Sequence, residues 1–334
     1  MIRYWGGKTR IGKRMAQAIV DLMKHYDLKY DCVVENFCGI GGLTLPLNEI
    51  LPTNISFVAS DADFGVVGFL EAIQNGWTPP KCSITEQEFN KLKETKEDRT
   101  PMQIFCGHAG CFNGKYFADR YQDYTNPKLA AGCRKIEKLK HLTQGIEFKV
   151  CDYRDYSPKE WNNCLFICDS PYRVIEKYYD CQLAKHFQGF DFVAYETWVR
   201  EMSKNNYVIC CEYTMSDDFA CIWSLETLHN NKTNLNKTKI EKLFVWNDPD
   251  SLFVQNAQLP NWKEYQAMYP GPYTSLKVSG LKKYTNPCFG MQNVYFDEDF
   301  QRTRPMQIKL KVQSKNVKNI SDFLKSQGLK VSFK

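Results

Sequence analysis

The residues best equipped for chemistry stand together at Asp169-Ser170-Pro171-Tyr172. Asp169 brings a carboxylate acceptor, Ser170 a main-chain carbonyl and Tyr172 an aromatic face. Pro171 fixes its own φ and steers Ser170 away from the helical region, so the acceptors are held before any ligand arrives. Two acceptors beside a flat ring suit a planar base that carries an amino group. Immediately upstream runs Cys164-Leu165-Phe166-Ile167-Cys168, an apolar stretch without a turn former. Such a run predicts a buried parallel strand, and open α/β sheets put their chemistry at the carboxyl ends of their strands.

A second constellation lies near the N-terminus. Asp31-Cys32-Val33-Val34-Glu35-Asn36-Phe37-Cys38-Gly39-Ile40-Gly41-Gly42 reads as a strand entering a glycine-rich turn, followed by the apolar Leu43-Thr44-Leu45. Glycines there let the turn after the first strand of a nucleotide-binding unit pass tightly under a cofactor. Ile55 to Asp61 predicts the next strand, and its terminal acid lies 20 residues beyond Gly41. That is close to the ~20-residue spacing at which such units hold a ribose diol. Asp61 can also cap the amphipathic run Phe64 to Asn75, which Gly76 ends, although Asp63 is better placed for that. The turn lacks the full dinucleotide pattern, so a smaller adenosine cofactor is expected before a nicotinamide. Asp152, after the strand Ile146 to Cys151, suits either the adenine edge or a turn cap. Tyr4-Trp5-Gly6-Gly7-Lys8 suits a ligand wall or a plain turn before the helical spacing of Ile11, Met15, Ile19, Leu22 and Met23.

These pieces need a sheet of alternating strands and helices to position them, and the alternation lapses between Trp77 and Gly145. There Cys111-Phe112-Asn113-Gly114-Lys115-Tyr116-Phe117 leads into Arg120, Tyr121, Lys128, Arg134, Lys135, Lys138 and Lys140. Basic side chains among aromatics track phosphates and stack on or wedge between bases. A helical insertion with a solvated charged face is the competing reading. Order returns with a turn at Pro158 to Trp161, the strand before Asp169, a helix from Asp191 to Lys204, and strands at Asn206 to Tyr213 and Ile240 to Trp246. Glu212-Tyr213 is read as structural, and the polar stretch Asn230 to Lys237 as a connecting loop. Beyond Asn247, Ile308, Leu310 and Val312 alternate like a half-exposed strand, and Asn319 to Gln327 has the pattern of a capped helix. The division expected is a catalytic domain over 1–76 and 146–246, an inserted recognition region over 77–145, and a C-terminal extension over 247–334 of no assigned role.

The 334 residues suffice for a large α/β domain with additions, and the net charge of +6 is modest. Gln301 to Lys334 holds nine Lys or Arg against Asp322 alone, which suits a solvated tail or a phosphate-contacting surface equally. No run is long and apolar enough for a membrane span or signal peptide, so an intracellular soluble protein is expected. The 14 cysteines are scattered, several inside apolar runs, which predicts free thiols in a reducing compartment. Cys106-Gly-His108-Ala-Gly-Cys111, with Cys133 as the nearest fourth candidate, lacks a paired CxxC and reads as buried cysteines rather than a zinc site.

Four segments, in this order, resemble the Dam-like or D12 class of DNA adenine N6-methyltransferases. Tyr4-Trp5-Gly6-Gly7-Lys8 is similar to its aromatic-x-GGK motif, and Glu35 to Gly42 to its cofactor loop. Cys111-Phe112-Asn113-Gly114 is similar to its FNG element and Asp169-Ser170-Pro171-Tyr172 to its DPPY tetrapeptide. Glu212-Tyr213 and Glu241-Lys242-Leu243 look like its later elements. The resemblance runs from about Ile2 to Trp246. It implies a Rossmann-like, S-adenosylmethionine-dependent methyltransferase sheet with an inserted, mainly helical target-recognition region and an extra C-terminal segment. It further implies cofactor contacts from Tyr4, Trp5, Lys8, Glu35, Phe37, Gly39, Gly41, Asp61, Asp152 and Asp169. Catalysis would rest on Asp169, Ser170, Pro171 and Tyr172, and double-stranded DNA would meet Asn113, Lys115, Arg120, Arg134 and Lys135. No metal or membrane is expected, and the compartment would be the cytoplasm or another that holds DNA. Tyr4 stands where the family often has Trp, and Ser170 replaces the first proline of DPPY. Ser170 still offers a carbonyl and Pro171 still restrains it. N4-cytosine methylation, modification of a protein glutamine, and a silent DNA-binding or assembly protein are the alternatives.

Overall fold

The computed structural model describes residues 2, 4, 7–173, 190–231 and 234–258, and beyond them four strands as backbone. Helix α1 (Gly12–His25) buries Met15, Ile19, Leu22 and Met23, the stripe that the helical spacing predicts. Strand β1 (Cys32–Glu35) is buried at every position, and the glycine turn after it runs into α2 (Thr44–Ile50). β2 (Ser56–Asp61) follows, then α3 (Phe64–Gln74). Asp63 is the cap of α3, accepting the Gly65 N–H at 2.9 Å, and Gly76 ends the turn beyond it at φ +91°.

Between α3 and the next strand come three helices, α4 (Glu86–Glu94), α5 (Pro101–Ala109) and α6 (Thr125–Leu142). Thr85 with Glu88 and Thr100 with Gln103 form capping boxes at the starts of α4 and α5, and α5 packs against α3 and α6. The chain then makes β3 (Ile146–Val150), β4 (Cys164–Cys168), α7 (Phe192–Ser203) and β5 (Tyr207–Glu212). Asp191 caps α7 through the N–H groups of Val193 and Ala194. β6 (Phe219–Asn231), β7 (Asn234–Trp246) and α8 (Leu252–Ala257) follow.

Contacts divide the chain into two compact units, Met1–Pro171 with Tyr179–Val208, and Tyr172–Tyr178 with Ile209–Lys334. In the first unit the strand order is β3-β2-β1-β4, continuing into the start of β5, and β1 pairs in parallel with both β2 and β4. The chain thus reverses its direction of sheet growth at β1 and β4. The carboxyl ends of that strand pair form the crevice where open α/β sheets bind ligands. In the second unit the order is β5-β7-β6, with β7 antiparallel to both neighbours. A separate sheet, β11-β8-β10-β9, is built from β8 (Tyr273–Leu281), β9 (Tyr295–Phe296), β10 (Met306–Gln313) and β11 (Lys330–Phe333). The alternating Ile308, Leu310 and Val312 lie in β10, as their period predicts.

Two expectations need correction. The polar stretch Asn230 to Lys237 is no plain loop, because β6 and β7 run through it as a hairpin paired from Phe219↔Trp246 to Asn231↔Asn234. Backbone ladders form without regard to side-chain polarity, which is why the composition misled. The cysteines are not all free thiols: Cys32–Cys164 and Cys82–Cys133 are disulfides, with Cα–Cα distances of 4.9 and 5.9 Å. Cys32 and Cys164 are register partners on β1 and β4, so parallel pairing itself brings their side chains to one face. Eight other cysteines among the described residues lie outside these two bridges. No helix among those residues is long and apolar enough to cross a membrane. The run Asn319 to Gln327 lies outside the described residues.

Candidate active site

The first unit gathers its polar groups at the carboxyl ends of β1, β2 and β4. The glycine turn can pass there because Gly39 and Gly41 adopt φ of +49° and +80°. A Cβ on Gly39 would sit 3.0 Å from the Tyr4 ring, and one on Gly42 2.8 Å from the Lys8 nitrogen. Tyr4 and the Lys8 backbone therefore lie directly against the turn. Trp5 falls outside the described residues.

Asp61, at the end of β2, accepts the Gly39 N–H and the Asp63 N–H at 2.9 Å each, one per carboxylate oxygen. Burial raises its pKa, and those two donors oppose the rise. Each oxygen keeps a second lone pair, so ribose hydroxyls can still be received. Glu35 at the end of β1 is buried and accepts the Thr44 hydroxyl at 2.6 Å. Desolvation holds its carboxyl well above the usual range, with Asp169 and Asp61 adding repulsion. Tyr4 is likewise pushed upward by burial, which keeps its phenol neutral.

Asp169, the first residue past β4, pairs with the Lys8 ammonium at 2.7 Å, the two side chains being 13% and 7% exposed. An ion pair this secluded is a fixed element of the site, unlike a surface pair. Ser170 is buried with its Oγ lacking a hydrogen-bond partner among the described residues, and Pro171 follows it.

The sequence missed Asn36. It follows β1 directly at 1% exposure, and neither its amide nitrogen nor its oxygen finds a hydrogen-bond partner among the described residues. A buried amide without partners costs roughly 1–3 kcal/mol, and in a native site such groups mark where a ligand or water is received. Its position inside the cofactor loop was the only signal. Tyr153 was also missed; its ring lies 5.6 Å from that of Phe37, which also meets Phe190 at 6.0 Å and Tyr195 at 5.9 Å. These rings form an aromatic wall beside the turn. His108 was weighed as a metal ligand, yet its Nδ1 donates to the Gly114 carbonyl at 2.8 Å, and burial drops its pKa to about 4. Its ring sits 4.8 Å from that of Tyr4 and 5.0 Å from that of Tyr116.

Other predicted residues lie elsewhere in the unit. Asp152 caps the short turn Tyr153–Asp155 and forks with Arg154 at 2.7 and 3.0 Å. That satisfies the capping reading and lowers its pKa through the Arg154 bonds. Asn113 sits at φ +54° in the turn Phe112–Gly114, where the Phe112 ring is 57% exposed. Lys115 follows the turn, Arg120 is exposed on the segment before α6, and Arg134 and Lys135 lie on α6, Arg134 exposed. Tyr172 belongs to the second unit, where its hydroxyl donates to Glu241 at 3.0 Å.

No family model matches the chain, and no curated protein matches it. Several solved structures are similar. An rRNA methyltransferase, aviRa, from Streptomyces viridochromogenes is 11% identical over 70% of this chain and 84% of its own, at a TM-score of 0.32. TrmN from Thermus thermophilus is 12% identical over 70% of this chain and 47% of its own, at 0.30. Magnesium protoporphyrin IX methyltransferase (ChlM) from Synechocystis PCC 6803, solved with bound SAM, is 11% identical over 71% and 82%, at 0.31. At TM-scores this low, the strand order and side chains of this chain are the grounds for any reading. That order, with the antiparallel β7 between β5 and β6, makes the fold α/β and Rossmann-like.

Proposed function

We propose that this chain is a SAM-dependent DNA methyltransferase that transfers a methyl group to the N6 amine of adenine. The observation that carries the reading is the convergence, at the switch point of the sheet, of the Gly39–Gly41 turn, Asp61, and Asp169 held by Lys8 at 2.7 Å. The residues present fit S-adenosylmethionine. Asp61 suits the ribose diol, the Phe37 and Tyr153 rings suit the adenine face, and the buried Asn36 amide supplies both a donor and an acceptor. When bound, that cofactor supplies an electrophilic methyl on a sulfonium sulfur.

The chain's own residues must then turn a poor nucleophile into an adequate one. The lone pair of adenine N6 is delocalised into its ring. An acceptor on each N–H favours the pyramidal amine, whose lone pair is free to attack in line. Asp169 serves as one acceptor. Lys8, paired with that carboxylate at 2.7 Å, keeps its orientation fixed, and the carboxylate takes the N–H. The Ser170 carbonyl, restrained by Pro171, serves as the other, and Tyr172 offers the stacking face. An adenine within a duplex reaches such a site only when flipped out, at a few kcal/mol of unstacking. The exposed Phe112 ring beside Asn113, with Lys115, Arg120, Arg134 and Lys135, supports double-stranded DNA as the partner.

The test is transfer of labelled methyl from the cofactor to unmethylated duplex DNA, with Asp169→Ala as control and nucleoside analysis of the product. Label appearing as N6-methyladenine with the wild type alone supports the reading; equal incorporation by both proteins refutes it. A second reading, a silent methyltransferase-fold protein that binds DNA or assembles, draws on Ser170 standing where DPPY has proline. Calorimetry separates the two, because a silent scaffold takes up no cofactor.

A further inference from the structure

Around the last residue of the tetrapeptide, Tyr172, lies a cluster whose other members the reading above leaves without a role. It sits within the second unit and adds Arg173, Glu212, Tyr213 and Glu241. Glu212 ends β5, and its carboxylate accepts the backbone N–H groups of Arg173 and Tyr213. The antiparallel register sets Glu212 opposite Lys242, so one step further along brings Tyr213 opposite Glu241. Glu241 is 8% exposed. Its Oε2 accepts the Tyr172 hydroxyl at 3.0 Å and its Oε1 the Tyr213 hydroxyl at 3.3 Å. The two rings are nearly perpendicular, at 87°, with centroids 4.7 Å apart.

A carboxylate this deeply placed is costly unless donors satisfy it, and phenols on both oxygens do so. The arrangement also acts on the donors. A tyrosine ring on a loop turns about χ1 and χ2, and a bond at its tip with an edge-to-face neighbour at its side removes that freedom. The peptide after Tyr172 is held as well, through the bond from the Arg173 N–H to Glu212. Restraints thus reach residue 172 at its hydroxyl, at its ring and at the following backbone. A residue that only filled space would need none of this directional bonding.

We propose that Glu241 is a positioning residue for methyl transfer: by accepting the hydroxyls of Tyr172 and Tyr213, it sets the plane of the Tyr172 ring against which the target base stacks. This rests on Tyr172 being the stacking face, as the function proposed above has it. Glu241 acts through the Tyr172 ring. Its removal should therefore lower kcat for DNA while leaving the affinity for S-adenosylmethionine in place.

The test compares the full-length wild type with Glu241→Gln, Tyr172→Phe and the double variant, using duplex oligonucleotides and labelled S-adenosylmethionine. Misplacing a stacked substrate by about an ångström costs up to about a hundredfold, so Glu241→Gln should lower kcat by roughly ten- to a hundredfold, with calorimetric cofactor affinity changing less than about twofold. In the Tyr172→Phe background the same substitution should cost under about threefold, because the hydroxyl it acts through has gone. Effects that multiply independently would overturn the proposal. A second measurement needs no substrate: 19F NMR of protein carrying 3-fluorotyrosine, with the Tyr172 signal identified by its loss in Tyr172→Phe. Glu241→Gln should shift and broaden that signal, and an unmoved signal would overturn the proposal even if activity fell. If the wild type transfers no methyl to DNA while the signal still moves, the substrate assignment fails and the hold of Glu241 on the ring stands.

Discussion

Lys8→Met, which keeps much of the side-chain length and removes the charge, tests the ion pair that fixes Asp169. At 2.7 Å and an effective dielectric constant of about 20, the Coulomb attraction is about 6 kcal/mol. Desolvating both charges offsets part of it. Breaking such a pair from one side still leaves a secluded carboxylate without its counter-charge, which costs about 3–5 kcal/mol in comparable cases. Lys8→Met should therefore lower the urea-unfolding free energy at pH 7.5 by roughly 3 kcal/mol. The double variant Lys8→Met/Asp169→Asn, with neither charge, should regain about 2 kcal/mol of that loss, because an amide tolerates burial better than a carboxylate. The deficit of the single variant should persist in 1 M salt, since buried pairs are screened little. A single variant within about 1 kcal/mol of wild type, or a double variant no more stable than the single, would refute the claim that the pair organises the site.

Glu212 gives a pH signature. Burial raises its pKa from 4.5 to about 7, so the folded state binds this proton more tightly than the unfolded chain. The stability it contributes is fully present below pH 4.5 and is lost as pH rises through about 7, with about 3 kcal/mol as the upper limit. Unfolding titrations of Glu212→Gln should lack that slope; an unchanged profile assigns it to other groups. Gly39→Ala forces a side chain onto φ +49° and within 3.0 Å of the Tyr4 ring. About 1 kcal/mol of stability should go, and S-adenosylmethionine affinity by calorimetry should fall about tenfold; undiminished binding would mean the turn is not the cradle. Thr100→Ala removes the hydroxyl that accepts the Gln103 N–H at the start of α5, while the backbone N–H of residue 100 can still donate to the Gln103 side chain. Thermal unfolding should report a loss of about 1 kcal/mol with cofactor binding unaltered.

The sequence made the centre of the sheet legible for a physical reason. β1, β2 and β4 are apolar runs stopped abruptly by acids, glycines or proline, so both the strand and the polar end it delivers stand out. Asp63 as the cap of α3, Gly76 as its stop and Asp191 as the cap of α7 follow from local hydrogen bonding alone. What stayed hidden depends on register. Cys32 and Cys164 are 132 residues apart, and only the pairing of β1 with β4 makes them neighbours. The same holds for Lys8 against Asp169 and for Glu241 against Tyr172 and Tyr213. β6 escaped notice because its outer half is polar, as expected of a hairpin whose ladder bonds form between backbones. Asn36 looked like one more turn residue, and burial gives it significance.

Asn36 and Ser170 bear together on whether the site is intact. In the parallel register Glu35 faces Ile167, so Asn36 follows opposite Cys168, and Ser170 lies just beyond. Both side chains are buried, and their polar atoms lack hydrogen-bond partners among the described residues. Each such group opposes folding by roughly 1–3 kcal/mol. A pocket released from function would be expected to exchange them for apolar residues, because most routes to greater stability lead that way. Their persistence beside the Lys8–Asp169 pair, at the switch point of the sheet, argues for a polar ligand that completes them. Serine at position 170 then loses little of what proline would give, since the carbonyl and the restraint from Pro171 remain, and it adds a hydroxyl to the same crevice.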